Sequence, residues 1–331
     1  MAAVKSIDIH AHFFPETLLR LIAEEGPAFG VSCALDHPGG PVITFKGRRG
    51  NVLERRFVDI GARIASMDQQ GVTIHALSLT APMVYWAGAD LAVRLSQAFN
   101  DACAAAHARH PDRLIGLAML PMHEPALAIA ELERAAKLPG IRGVYMATKI
   151  GERELSDPTF LPVFQRIEAL DLPVFLHPVA VVDPQRLAKF YLGNLIGNPT
   201  ESAIAASHLI FGEVLDRCPK LVVCLPHGGG SFPYLVGRIN HGWGVRPECK
   251  HLLKGPNDYL RRFYYDTVTH SAPALSYLIG LVGADRVMLG SDFCFDMGYT
   301  RPVEVVTGHA GIGDDDRRKI LGGNAARLLH L

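Results

Sequence analysis

No two cysteines stand in a CxxC spacing. The six present (Cys33, Cys103, Cys218, Cys224, Cys249 and Cys294) are scattered along 331 residues. So sparse a set makes no disulfide framework in a chain this long, and a reducing cytoplasm is the default compartment. An excess of one charge is also missing, because 33 Lys and Arg balance 33 Asp and Glu. A broad nucleic-acid surface needs basic excess to neutralise phosphates, so that class is excluded, although a local cationic pocket is not. No apolar run reaches the length that spans a bilayer, so no membrane partner is expected. The N-terminus shows no charged segment followed by an apolar core, so no secretory signal is expected. Internal repeats, low-complexity tracts and interdomain linkers are absent as well. The expectation is one unit over residues 1–331, long enough for a large core.

What the chain does have is alternation. Apolar runs of strand length lie near 5–10, 74–80, 114–120, 141–146, 173–177, 221–226, 263–268 and 286–291. Several are almost wholly apolar, as parallel strands covered by helices are. Helical stretches fall near 58–70, 90–110, 124–137, 158–170, 200–217, 273–283 and 314–329, the last opening on Asp314-Asp315-Asp316, acids suited to a helix N-terminus. Eight strands with helical crossovers predict an α/β fold, a (β/α)8 TIM barrel. A doubly wound open sheet is the alternative, but it would not gather strands one, five, six and eight around one site. The alternation lapses once, over about 14–57. That segment, with short β-like runs at 31–35 and 42–46, reads as a small insertion after strand 1, able to act as a lid over the barrel rim.

Fifteen histidines favour metal or acid/base chemistry, and their placement sharpens the point. His10 and His12 stand two apart where the first strand ends, so both imidazoles face one way. The fifth strand run ends in His177, the sixth in His227 and the eighth in Asp292. Taken singly, each has a bland explanation: a satisfied polar group at a strand end, or, for Asp292, a helix N-cap. Together they deliver ligand-type residues to one rim of a barrel. Three His nitrogens and one Asp oxygen suit a divalent ion such as Zn²⁺, with room for a water. His227 opens Pro226-His227-Gly228-Gly229-Gly230, either a tight turn before a helix or a flexible approach to substrate. In the functional reading His227 stays off the metal and acts as general acid/base beside a metal-bound water.

These residues also carry a family resemblance. His10-Ala11-His12-Phe13-Phe14-Pro15, His177-Pro178, Asn198-Pro199-Thr200-Glu201-Ser202, His227-Gly228-Gly229-Gly230-Ser231-Phe232 and Asp285-Arg286-Val287-Met288-Leu289-Gly290-Ser291-Asp292 occur in this order between about 5 and 328. In that order they resemble the amidohydrolase-superfamily branch of 2-amino-3-carboxymuconate 6-semialdehyde decarboxylase. The resemblance implies a (β/α)8 barrel with one catalytic divalent metal, usually zinc, with manganese or another divalent ion as the alternative. It implies His10, His12, His177 and Asp292 as ligands and His227 as the acid/base. It implies non-oxidative decarboxylation of an unsaturated or aromatic acid, with hydrolysis or hydration of a ring-cleavage product as the alternative. Decarboxylation could proceed with electrons passing to a conjugated acceptor, or after hydroxide addition with His227 as base, and the sequence does not choose between these routes.

The resemblance also supplies candidates for a small carboxylate substrate. Arg238 matches a family arginine that reaches a neighbouring subunit's active site, which implies a homodimer. A second family arginine lies in the insertion, where Arg48 and Arg49 are the candidates, with Arg55 and Arg56 behind them. His270, after the seventh strand, is a departure from the pattern; it either contacts substrate or caps a loop. Lys149 follows the fourth strand, near where binuclear amidohydrolases carry a carboxylated lysine, and reads here as a loop lysine. Phe190, Tyr191 and Trp243 suit either stacking on a planar substrate or core packing.

Overall fold

The computed structural model describes residues 5–331. Eight strands form one parallel sheet in chain order: β1 (Ile7–His12), β2 (Ile74–Ser78), β3 (Leu114–Met119), β4 (Ile141–Ala147), β5 (Val174–His177), β6 (Val223–Leu225), β7 (Phe263–Asp266) and β8 (Val287–Met288). Neighbours pair in parallel, as in Ile7 with Ile74 and Val174 with Val144. The sheet closes on itself. Ile9 N donates to Leu289 O (3.0 Å); beyond β8, Phe293 N donates to His10 O (3.2 Å) and Phe293 O accepts from His12 N (2.7 Å). The fold is a (β/α)8 barrel.

Near-continuous burial along β1, β2, β3 and β5 explains why their runs are apolar throughout: one face fills the barrel, the other meets helices. Two strands are shorter than their apolar runs. The 286–291 run keeps regular pairing only over Val287–Met288, then bends toward β1; the 221–226 run pairs only over Val223–Leu225. The helix expected after the glycine turn forms over Phe232–Val245, and a further one, Pro302–Thr307, stands where no helical stretch was expected. The expected 314–329 helix begins at Asp314, but a wide turn at Lys319–Gly323 splits it before Asn324–Leu328. Among the described residues no helix is long and apolar enough to cross a membrane.

After β1 the chain forms a helix (Glu16–Glu25) and then a three-stranded antiparallel sheet of Val31–Ala34, Val42–Phe45 and Arg48–Val52. It re-enters through the Ile60–Gln70 helix, capped by Asp59, which accepts from Ala62 N at 2.7 Å. The segment's two roots meet. Phe14 N donates to Phe57 O at 2.9 Å, and the two rings pack 6.0 Å apart.

Candidate metal centre and active site

Each strand end delivers its side chain where the sequence pattern points. His10 and His12 end β1, His177 ends β5, and His227 and Asp292 follow β6 and β8. His227 (φ 55°) and Asp292 (φ 60°) both adopt left-handed backbone. That region costs a non-glycine residue about 1 kcal/mol, and it is found where a site needs a side chain re-aimed. The four imidazoles cluster: ring centroids are 5.0 Å apart for His10–His12, 4.8 Å for His12–His177, and 5.2 Å for His10–His177 and His10–His227. Asp292 Oδ1 lies 3.0 Å from His12 Nε2 and 3.4 Å from His10 Nε2, and Oδ2 lies 3.9 Å from His227 Nε2.

Ring anchoring separates these histidines. His10 Nδ1 donates to Asp266 Oδ2 (2.7 Å) and His177 Nδ1 to Pro178 O (2.8 Å). Ser78 Oγ, which donates to Ala11 O, accepts from His12 Nδ1 at 3.2 Å. All three therefore turn Nε2 toward the cluster, the arrangement in which metal-binding histidines are held. His227 Nδ1 is buried without a partner. His10 Nε2 is also buried without one, and a buried ring nitrogen left unpaired at the centre of a His and Asp cluster is what an electrophile would satisfy. By proximity alone, the ligand atoms of His10, His177, His227 and Asp292 lie within 4.8 Å of one another. That set takes His227 in place of His12. Ring anchoring favours His12, because it is held as the other ligands are. Either way the residues fit a divalent metal site.

The electrostatics of His12 and His177 suit metal ligands, whereas those of His10 in the absence of an ion favour the charged ring. Burial pushes His12 and His177 well below the ordinary imidazole range, helped by neighbouring imidazoles, so their lone pairs stay available. Burial opposes charge on His10 too, but the bond to Asp266 and the nearby carboxylates outweigh it and raise it to about 9. Burial pushes Asp266 up, yet the His10 bond and its neighbours hold it below the usual carboxylate range.

Asp266 escaped the sequence reading. Its Oδ2 also accepts from His227 N (3.0 Å), and its Oδ1 accepts from Gly228 N (2.7 Å) and Val268 N (3.0 Å). One carboxylate thus sets the His10 ring and the turn that presents His227. The glycines after His227 are sterically required: a Cβ on Gly229 would press on the Tyr265 ring, and one on Gly230 would meet the Pro199 carbonyl.

Arg63 was missed as well. It is fully buried on the Ile60–Gln70 helix. Its guanidinium donates to the His12 carbonyl and to His75 Nδ1 (3.3 Å), so His75 turns Nε2 toward Asp8 Oδ2 at 3.6 Å. Asp8 in turn accepts from His10 N (2.9 Å), Ser291 N (3.1 Å) and Ser291 Oγ. The ligand-bearing ends of β1 and β8 are tied beneath the site through Asp8 and Ser291, with the Arg63–His75 chain packed against that tie. Replacing Arg63 with Met is expected to lower stability by ~2 kcal/mol in urea denaturation, because it leaves the buried His12 carbonyl and His75 Nδ1 without a donor. A midpoint unchanged from wild type would show that the chain carries no such weight.

Two cavities flank the cluster. The first, about 550 Å³, is lined by His227 and Asp292 together with Asn194, His270 and Tyr277. The second, about 500 Å³, lies against the insertion and includes Lys46, Arg48, Lys149, Tyr191 and Phe295. The Phe295 ring packs 5.4 Å from His12. Of the sequence candidates, His270 lines the first cavity and Arg48 the second. Arg49 instead bonds His37 Nε2 (3.0 Å), Arg55 pairs with Asp59 and Arg56 with Glu54. Phe190 is 82% exposed and lines neither cavity, whereas its neighbour Tyr191 does. Trp243 bonds Leu252 O and packs against the core. Arg238 is exposed on the Phe232–Val245 helix and lines neither cavity.

The amidohydrolase family pattern matches residues 7–331. The chain belongs to the amidohydrolase family. Within it, this amidohydrolase falls in the branch its motifs resemble. A 2-amino-3-carboxymuconate-6-semialdehyde decarboxylase from Dictyostelium discoideum is 33% identical to it, over 98% of this chain and 91% of that protein. Among solved structures, 5-carboxyvanillate decarboxylase from Sphingomonas paucimobilis superposes with a TM-score of 0.87 at 26% identity, over 99% of this chain and 100% of that one. A dihydroxybenzoic acid decarboxylase from Polaromonas, solved with bound manganese and 2-nitroresorcinol, gives a TM-score of 0.79 at 25% identity, over 99% and 98% of the two chains.

Proposed function

We propose that this amidohydrolase is a metal-dependent, non-oxidative decarboxylase of an unsaturated or aromatic carboxylic acid. The observation that carries the reading is the cluster at the barrel rim: three histidines with anchored Nδ1 atoms and Asp292 converge beside a fourth histidine that lines a cavity. The decarboxylase relatives support the reaction class. His10, His12, His177 and Asp292 would hold the ion, with zinc as the expected metal and manganese the runner-up. When bound, the ion supplies Lewis-acid polarisation of a substrate oxygen.

The chain's own residues supply the rest. Asp266 orients His10 and fixes the backbone that carries His227. The carbon–carbon bond to the carboxylate breaks, its electrons stay with the substrate carbon, and CO₂ leaves. His227 delivers the proton that takes its place, from Nε2 on the cavity side. Arg48, on the second cavity, is the insertion arginine best placed for a substrate carboxylate. The protein is expected to work in the cytoplasm, as a single barrel unit whose 14–57 insertion covers the rim. The test combines metal analysis of the purified protein with a screen of unsaturated and aromatic acids, following CO₂ and product mass. Release of CO₂ without net water uptake supports decarboxylation. Water incorporation would replace it with hydrolysis or hydration, and a metal-free protein that resists loading would remove both.

The active unit in this reading is a homodimer in which Arg238 completes the partner's site. Its exposure, away from both cavities of its own chain, suits a residue that acts on a neighbouring copy. Two-fold symmetry would exchange the same residue both ways, and the guanidinium fork binds a carboxylate through two hydrogen bonds. Arg238→Ala and His227→Asn chains are each expected to be nearly inactive alone. Mixed dimers would hold one site with both defects and one with neither, so activity should partly return. An active monomer, or proven heterodimers without recovery, would refute the shared site.

A further inference from the structure

Decarboxylation consumes one proton each turnover: the carboxylate leaves as CO₂ and a hydrogen takes its place. His227, which delivers that proton in the reading above, must regain it from solvent before the next cycle. Its side chain is only 14% exposed and its Nδ1 is buried without a partner, so it meets bulk water poorly. The first cavity supplies the route. Among the described residues it shares no lining side chain with the second cavity, and it carries two imidazoles, His227 and His270. Imidazole is the side chain that exchanges protons most readily near neutrality. His270 is exposed, so it stands where this cavity meets solvent. Its backbone is held and its ring is left free. The His270 N–H donates to the Tyr299 hydroxyl at 2.6 Å, and the residue adopts left-handed backbone (φ 53°). The ring packs 4.9 Å from that of Tyr299, yet among the described residues neither of its nitrogens bonds protein. A loop cap would use the backbone alone and leaves the imidazole without a task. The two histidine turns are also fastened together. Asp266 accepts from His227 N and Gly228 N on one side and from Val268 N on the other. A Cβ on Gly228 would stand 2.8 Å from Thr269 Cγ2, so the turns pack directly against each other.

We propose that His270 is a proton-relay residue, passing protons from solvent to His227 through water in the first cavity. In each cycle an external acid, hydronium or a buffer, gives a proton to one ring nitrogen of His270. The other ring nitrogen releases a proton to cavity water, and that water passes one on to His227 Nε2, the atom that lost it. His270 thus acts through His227 and touches no reacting atom. The direction of net transfer rests on the decarboxylase reading; the exchange path between the two rings does not.

The test is His270→Asn, which tolerates the left-handed backbone and lacks a proton to exchange near neutrality. Full-length, zinc-loaded protein with ¹⁵N-labelled histidine rings is followed by NMR. Turnover is followed on 2,6-dihydroxybenzoate and on every acid that releases CO₂ in the screen above. Solvent exchange of the His227 ring proton should slow ~10-fold in the variant, and kcat should fall ~10-fold with KM within ~2-fold, less than loss of the acid/base itself because bulk water still supplies protons slowly. Added imidazole should restore both, a recovery that a misfolded variant cannot show. Exchange unchanged in His270→Asn would overturn the proposal, whatever kcat does. So would a rise in KM without imidazole rescue, which would make His270 a substrate contact. If no acid releases CO₂ while exchange still depends on His270, the decarboxylase reading falls and the relay stands. CO₂ release with exchange independent of His270 would do the reverse.

Discussion

Replacing His227 with Asn is expected to leave the metal in place and cut turnover by at least ~10²-fold, the lower range for removal of a general acid/base. Metal should stay because His227 is the one imidazole of the four whose Nδ1 has no anchoring partner, while His10, His12 and His177 are each held with Nε2 inward. Turnover should fall because His227 lines the cavity that reaches the cluster, whereas His12 is completely enclosed. Asn is the substitution of choice, since it tolerates the left-handed backbone that His227 adopts and lacks a proton to exchange near neutrality. Metal content by mass spectrometry and turnover on the same preparation decide the matter. If the variant loses its metal, His227 is a ligand and the tightly spaced set with His10, His177 and Asp292 is the true one. Near-normal turnover would sink both assignments.

Asp292→Ala is expected to lose metal and activity together. Among the described residues Asp292 supplies the only carboxylate within reach of His12 Nε2, and it sits on the ring nitrogen of His10 as well. Without it the donor set is neutral, and only the carboxylate behind His10, Asp266, remains to offset a dication taken out of water. Alanine at this left-handed position adds a backbone cost of about 1 kcal/mol, so a companion variant is needed. Asp292→Asn keeps the shape and tolerates the conformation but removes the charge. Metal loss in both variants assigns the effect to the carboxylate. Loss in the alanine variant alone would assign it to the backbone, and full occupancy with normal turnover in both would rule out Asp292 as a ligand.

Much of this arrangement is legible in the order of residues alone. Apolar runs mark all eight strands because each is enclosed on both faces, and the ligand-type residues stand out because they interrupt those runs at their ends. Some of the rest is silent for definable reasons. The extent of the Phe232–Val245 helix is obscured by Gly237, Gly242 and Gly244, which weaken its helical pattern. The third strand of the insertion, Arg48–Val52, is largely exposed and so shows no apolar alternation. Arg63 looks like an ordinary surface charge on a helix; only the fold brings the His12 carbonyl and His75 to it. Asp266 meets His10 across 256 residues, a separation no spacing rule covers.

The hydrogen bond between Phe14 and Phe57 carries a consequence for how such a barrel can diversify. Because the roots of the insertion are tied to each other, the intervening forty-odd residues present themselves to the barrel as a closed loop. Lengthening or exchanging that loop would add only a slowly growing, logarithmic entropy cost. The strand ends that hold the ligands would not feel the change. A family built this way can alter what it admits to the rim through one detachable segment, and inherit the chemistry below it intact.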